Sequence, residues 1–164
     1  LRNGLYAELL AGVGALYADR AASTGVLTAP LGDGRISVVA REDLADVAVR
    51  VARETQDDLL ARGGSRHAGR TYELEGVAAL GGHDLAEALS LTTGRAIEYR
   101  PGAITDAREL LEGFGLEQFQ VTHTLSIFAN AGAGFLDARR TDLTTVLPST
   151  PRDVHGTITK ALQP

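Results

Sequence analysis

Apolar residues recur at helical intervals from the start of the chain. Leu5, Leu9, Val13, Leu16 and Tyr17 fall on one face and predict a helix over 5–22, weakened by Gly12 and Gly14. Strand-like runs follow at Val26–Leu31 and Arg35–Ala40, on either side of Gly32-Asp33-Gly34, where Asp-Gly supplies the positive backbone angles of a tight turn. Between Glu42 and Ala61 the stripe is the strongest in the chain, with Leu44, Val47, Ala48, Val51 and Ala52 on one side. Glu42 and Asp43 place negative charge at the positive end of that helix. After a loop opened by Gly63-Gly64, Tyr72 and Leu74 alternate with polar neighbours over 70–74, the period of a half-buried strand.

The segment from His83 to Thr93 predicts a helix stopped by Gly94, and Ile97 and Tyr99 alternate in a second short strand ended by Pro101. Strand, helix and strand over 72–99 are long enough for a crossover between parallel strands. Two further helices are predicted over 105–113 and 116–131, the second with Val121, Leu125, Phe128 and Ala129 at i, i+4, i+7 and i+8 and a break at Gly132-Ala133-Gly134. Beyond Pro148 and Pro151 a last helix is predicted over 154–162. Helices and strands alternate, so the expected class is a mixed α/β or α+β layer arrangement.

Composition narrows the function classes. The 164 residues suit a single domain over 1–164, and 44% apolar with 23% charged residues is a globular balance. Having no cysteine, the chain has no disulfides, thiolate metal sites or cysteine nucleophiles. A net charge of −5 without clustered cations argues against nucleic acid as a partner. No apolar run reaches the ~18 residues of a membrane span, so no membrane partner and a cytoplasmic location are expected. The chain opens at Leu1 and contains no methionine, and therefore reads as a piece of a longer protein.

Several chemistries lack their residues. No strand is followed by G-x-G-x-x-G and a helix: Gly12-x-Gly14 lies within a helical stripe and Gly132-x-Gly134 follows a helix. The phosphate-cradling G-x-x-x-x-G-K-[ST] cannot occur, because Lys160 is the sole lysine. A tyrosine acid with a lysine one turn later is missing too, since the residues four beyond Tyr6, Tyr17, Tyr72 and Tyr99 are Leu10, Ala21, Gly76 and Ala103. His67, His83, His123 and His155 stand at least 16 residues apart, so no local metal spacing exists and no metal is expected.

The opening block LRNGLYAE (1–8) resembles the end of the fifth strand and the following loop in NmrA-like proteins. These are an atypical branch of the short-chain dehydrogenase/reductases that includes NAD(P)H:quinone oxidoreductases. Three later blocks resemble the same family in the same order: GDGRISVVAREDLADVAVRVA, HAGRTYELEGVAALGGHDLAEALSLTTGRAIEYR and TPRDVHGTITKAL. The resemblance implies the C-terminal part of a Rossmann-like NAD(P)-binding fold with a small mixed α/β substrate region, lacking the N-terminal glycine-rich half. It implies an intact enzyme that uses NADP or NAD to reduce small electrophiles such as quinones. Its partners would be a small-molecule substrate and, in a homodimer, a second copy.

By the same resemblance, Asn3, Gly4 and Tyr6 line the cofactor crevice at the carboxyl end of a strand. A tight Asn-Gly would expose backbone groups for the carboxamide, and Tyr6 would offer a flat wall to the ring and to the substrate. Phe119 and His123 are candidate substrate residues, no residue is assigned as catalytic, and each candidate has a plainer reading. Asn3-Gly4 reads as an ordinary turn, Tyr6 as a core aromatic and His123 as a hydrogen-bonded structural histidine. Phe114, Phe119 and Phe128 read as packing residues, and Glu42, Asp43 and Asp46 as a helix-start cluster on a solvated face rather than paired carboxylates. The rival function is a non-catalytic, NAD(P)-sensing regulator that docks on a protein partner, which an exposed apolar patch over 105–131 would favour.

Overall fold

The computed structural model describes residues 1–138 and 140–163. The elements run β1 (Arg2–Asn3), α1 (Ala7–Thr24), β2 (Val26–Ala29), β3 (Arg35–Ser37), α2 (Arg41–Arg62), β4 (Glu73–Leu74) and β5 (Ala79–Gly81). They continue with α3 (Gly82–Thr93), β6 (Glu98–Pro101), α4 (Ile104–Gly113), α5 (Gln118–Gly132), α6 (Leu143–Val146) and α7 (Val154–Ala161). Each long stripe became a helix close to its expected bounds, and α3 ends on Gly94 at φ 68°, the left-handed terminator. At α7, the Asp153 carboxylate accepts from the His155 and Gly156 N–H groups at 3.0 and 3.1 Å.

Strand pairing departs from the sequence expectation. β4 pairs in parallel with β1, β6 pairs in parallel with β2, and β3 pairs antiparallel with β5. The 72–99 unit is therefore not a crossover between paired strands, because β4 and β6 join different partners. Nor do β2 and β3 form a hairpin. The positive φ falls at Gly32 rather than at Gly34, where instead a β-carbon would stand 2.0 Å from the Ala131 carbonyl oxygen. Pro101 lies within β6 opposite Ala29 instead of after the strand. Local propensity marked where strands form but could not choose among partners distant in sequence.

Two cores result. The larger gathers Leu10, Tyr17, Leu27, Leu85, Tyr99 and Phe128 beneath α1, where α1 packs against α3, α7 and β2. The smaller joins Val39, Leu44, Val47, Leu74, Leu143 and Leu147 between α2, α6 and β4. Asp43 overturns the reading of a solvated charge cluster: it is 1% exposed and binds Arg152, which also holds Asp46 at 2.9 Å and Glu42 at 2.9 Å. The tail before α7 is thus fastened to the first turn of α2 by a charge that burial makes costly to leave unpaired.

Candidate functional site

Residues 3–8 leave β1 at its carboxyl end and enter α1 along a path fixed on both sides. The Gly4 N–H donates to the Leu74 carbonyl at 3.1 Å, continuing the ladder with β4. The Val39 N–H donates to Leu5 O and the Ala7 N–H to Val39 O, each at 2.9 Å. Glu8 reaches across to α2, where its carboxylate accepts from the Arg41 N–H at 3.2 Å and 3.3 Å. The last residue of the LRNGLYAE block is therefore a cap for a neighbouring helix, a role that no local spacing reveals.

Gly4 has no positive φ and makes no tight turn, which corrects the Asn-Gly reading. Glycine is required there by close approach: a β-carbon would stand 2.5 Å from Glu75 Oε2 and 3.0 Å from the Leu74 carbonyl. Asn3 is exposed, and Tyr6, 38% exposed, occupies the position before α1 rather than the core. Neither side chain is hydrogen-bonded among the described residues. The structure thus gathers Asn3, Gly4 and Tyr6 on one rigid segment, with a free amide and an open ring at the carboxyl end of a parallel strand pair.

Phe119 and His123 are not joined to that segment by any hydrogen bond or ring contact among the described residues. Phe119 is 71% exposed, and His123 is exposed rather than a buried structural histidine. Of the three phenylalanines read as packing residues, Phe128 alone is buried, while Phe114 joins Phe119 at the surface. Where α5 meets the opening segment it does so through Ile127 and Phe128, which with Leu5, Leu9, Ile36 and Val38 line an apolar pocket of about 20 Å³. That volume admits about one water molecule and no ligand.

A second cavity of about 480 Å³ lies beside Glu8 and Ala40, closed on the far side by Arg152, Gly156 and Lys160. Glu8 is spent on α2, Arg152 on three carboxylates and Asp153 on α7, so these groups are committed within the fold. Among the described residues no three metal-ligating side chains converge.

Sequence reasoning missed two ionisable groups. Glu75 follows β4 directly and leans over Gly4; burial, reinforced by the nearby Glu73 charge, raises its carboxyl above the ordinary range. Its signal was available, as the first acidic residue past a predicted strand. At the amino end of β4, His67 bridges Tyr72 Oη at 2.8 Å and Glu54 Oε2 at 2.9 Å. The Glu54 carboxyl is held low chiefly by its hydrogen bond from Arg50. This chain of groups ties the 63–72 loop to α2 at the opposite end of the strand pair from Asn3.

No family model matches the chain. It is 28% identical to the NAD(P)H azoreductase of Xenophilus azovorans over 121 residues, 74% of this chain and 39% of that protein. It is 33% identical to quinone oxidoreductase 2 of Escherichia coli (strain K12) over 117 residues, 71% of this chain and 36% of that protein. Among solved structures, Citrobacter sp. triphenylmethane reductase complexed with NADP(H) superposes with a TM-score of 0.78 at 21% identity, over 98% of this chain and 52% of that one. An NADPH-dependent quinone oxidoreductase from Escherichia coli superposes with a TM-score of 0.74 at 25% identity, over 96% and 52%. The chain is a relative of NmrA-like NAD(P)-binding reductases and has their Rossmann-like α/β fold. It spans about half the length of those solved structures, and its matched stretch covers less than two fifths of each curated relative.

Proposed function

We propose that this chain is the C-terminal portion of an NAD(P)H-dependent reductase of small flat electrophiles such as quinones, supplying the wall against which the nicotinamide lies. The observation that carries the reading is the segment Asn3–Tyr6, pinned by Leu74 and Val39, with a free amide and an exposed ring at the carboxyl end of β1 and β4. These residues fit the nicotinamide end of NAD(P): an amide and backbone for the carboxamide, and an aromatic face for the ring. The chain holds no glycine-rich strand–turn–helix for the pyrophosphate, which falls to the N-terminal half expected from the resemblance. Bound in reduced form, the cofactor supplies a hydride. Asn3 and Gly4 orient the carboxamide, Tyr6 shields the reacting face from water, and the rigid segment holds both in register.

In this reading Phe119 and His123 line the approach of the substrate from α5, and the protein acts in the cytoplasm, as a monomer or homodimer, without nucleic acid or membrane. Among the described residues no helix is long and apolar enough to cross a membrane. The test is NADPH consumption by the full-length protein with a panel of benzoquinones and naphthoquinones. Turnover above background supports the reductase; tight cofactor binding without turnover rejects it. One observation favours the sensing alternative: Ile104, Phe114 and Phe119 are exposed on and between α4 and α5. A stoichiometric protein partner whose capture responds to the cofactor's redox state would establish that reading instead.

A further inference from the structure

Hydride addition to a quinone leaves an oxygen that must gain a proton, which a general acid within hydrogen-bond reach supplies. Glu75 presents a carboxyl against Gly4, on the segment that carries Asn3 and Tyr6. Its backbone is fixed on every side: Gly4 binds Leu74 O, Thr141 Oγ1 donates to Glu75 O at 2.7 Å and to Glu73 O at 3.2 Å, and the Gly76 N–H donates to Ser37 O at 3.3 Å. A β-carbon on Gly76 would stand 1.8 Å from Val38 O, so backbone packs directly on backbone at that strand end. The side chain consequently folds back over Gly4, with Oε2 within 2.5 Å of where a β-carbon on Gly4 would lie, one residue from Asn3 and two from Tyr6.

The charged groups nearby stand on β1, β4 and α1 and at Asp142, just before α6. Glu73 is paired with Arg2 at 2.6 Å, Asp142 Oδ2 accepts from the Glu73 N–H at 2.9 Å, and Glu8 is committed to α2. Partial burial and the neighbouring Glu73 carboxylate both favour the protonated form of Glu75.

We infer that Glu75 is the acid of the reduction, giving its proton to the substrate oxygen at the crevice lined by Asn3, Gly4 and Tyr6. The inference rests on the reductase reading above. As the hydride from the reduced nicotinamide adds to the quinone, the Glu75 O–H bond breaks and an O–H bond forms on the substrate. The quinone gains two electrons and two hydrogens, the nicotinamide is oxidised, and the carboxylate regains its proton from solvent.

The test uses the full-length protein, first without cofactor. With glutamate labelled at the carboxyl carbon, the NMR signal removed by Glu75→Gln should titrate above the ordinary glutamate range. In steady-state assays with NADPH and a naphthoquinone, wild-type kcat should fall as pH rises through that value. Glu75→Gln should lower kcat about 100-fold, flatten the profile and leave NADPH affinity unchanged, while Glu75→Asp keeps the sloping limb. Gly4→Ala, which crowds the carboxyl, should lower kcat without removing that limb. A Glu75 signal in the ordinary range, or a Glu75→Gln enzyme with wild-type rate and pH profile, overturns the acid alone. Wild-type protein that binds NADPH but reduces no quinone overturns the reductase reading and the acid with it.

Discussion

Tyr17 carries a hydroxyl into the main core at 4% exposure, and that oxygen has no hydrogen-bond partner among the described residues. Its ring meets Phe128 edge-on at 6.5 Å, so the aromatic surface explains why the residue is inside, while the hydroxyl only costs. Burial pushes its ionisation up to about 12, leaving it neutral at working pH. Tyr17→Phe should therefore leave stability unchanged or raise it by up to about 1 kcal/mol in urea unfolding. A clear loss would mean that a buried water satisfies the oxygen. Asp58 shows the opposite sign. Its carboxylate accepts from the Arg66 N–H at 2.8 Å and from the guanidinium at 2.7 and 2.8 Å, which holds it well below the usual carboxylate range. A carboxyl lowered in the folded state stabilises above its unfolded value, near pH 4, and the contribution fades as pH falls through the folded one. Asp58→Asn should lower the unfolding midpoint at pH 7, and the gap to wild type should narrow below pH 4.

Individual helices declare themselves through periodicity, whereas their ends depend on residues from elsewhere. The first turn of α2 is capped by Glu8 of α1 rather than by its own preceding residue, Ala40, whose side chain has nothing to offer. Glu8→Ala should cost about 1 kcal/mol and increase amide exchange in the first turn of α2, leaving α1 protected. If exchange rises in α1 instead, the contact is incidental. The strands were harder to read. β1 and β4 have two residues each and β3 and β5 three, too few for a period of two to stand out. β5 escaped notice for that reason, α6 because its four residues make barely one helical turn, and β1 lay inside a block recognised by resemblance rather than by pattern.

Across the whole molecule, close backbone contacts join segments far apart in the sequence. The loop before β3 approaches α5 so closely at Gly34 that a side chain there would strike the Ala131 carbonyl. Gly34→Ala should force α5 away from β3, lower the melting temperature and loosen Phe128, since overpacking costs typically 1–3 kcal/mol. Thermal unfolding and amide exchange in the last turn of α5 check it. An unchanged melting temperature would show that the loop yields freely. The same close fit sets the site: Val39, Leu74 and Gly4 come from segments some 35 residues apart, and their convergence aims Tyr6 outward and brings Glu75 over Gly4.

By itself the sequence determined the long helices and the alternation of helix and strand, because periodicity is a local property, while the segment Asn3–Tyr6 was pointed to by a family resemblance. Which strands pair, that Gly4 is demanded by contact rather than by a turn, that Asp43 is buried under Arg152, and that Phe119 and His123 are exposed on α5 were decided by tertiary structure alone. Each of these depends on which distant backbone comes within a few ångströms, and composition and spacing along one chain carry no record of that distance.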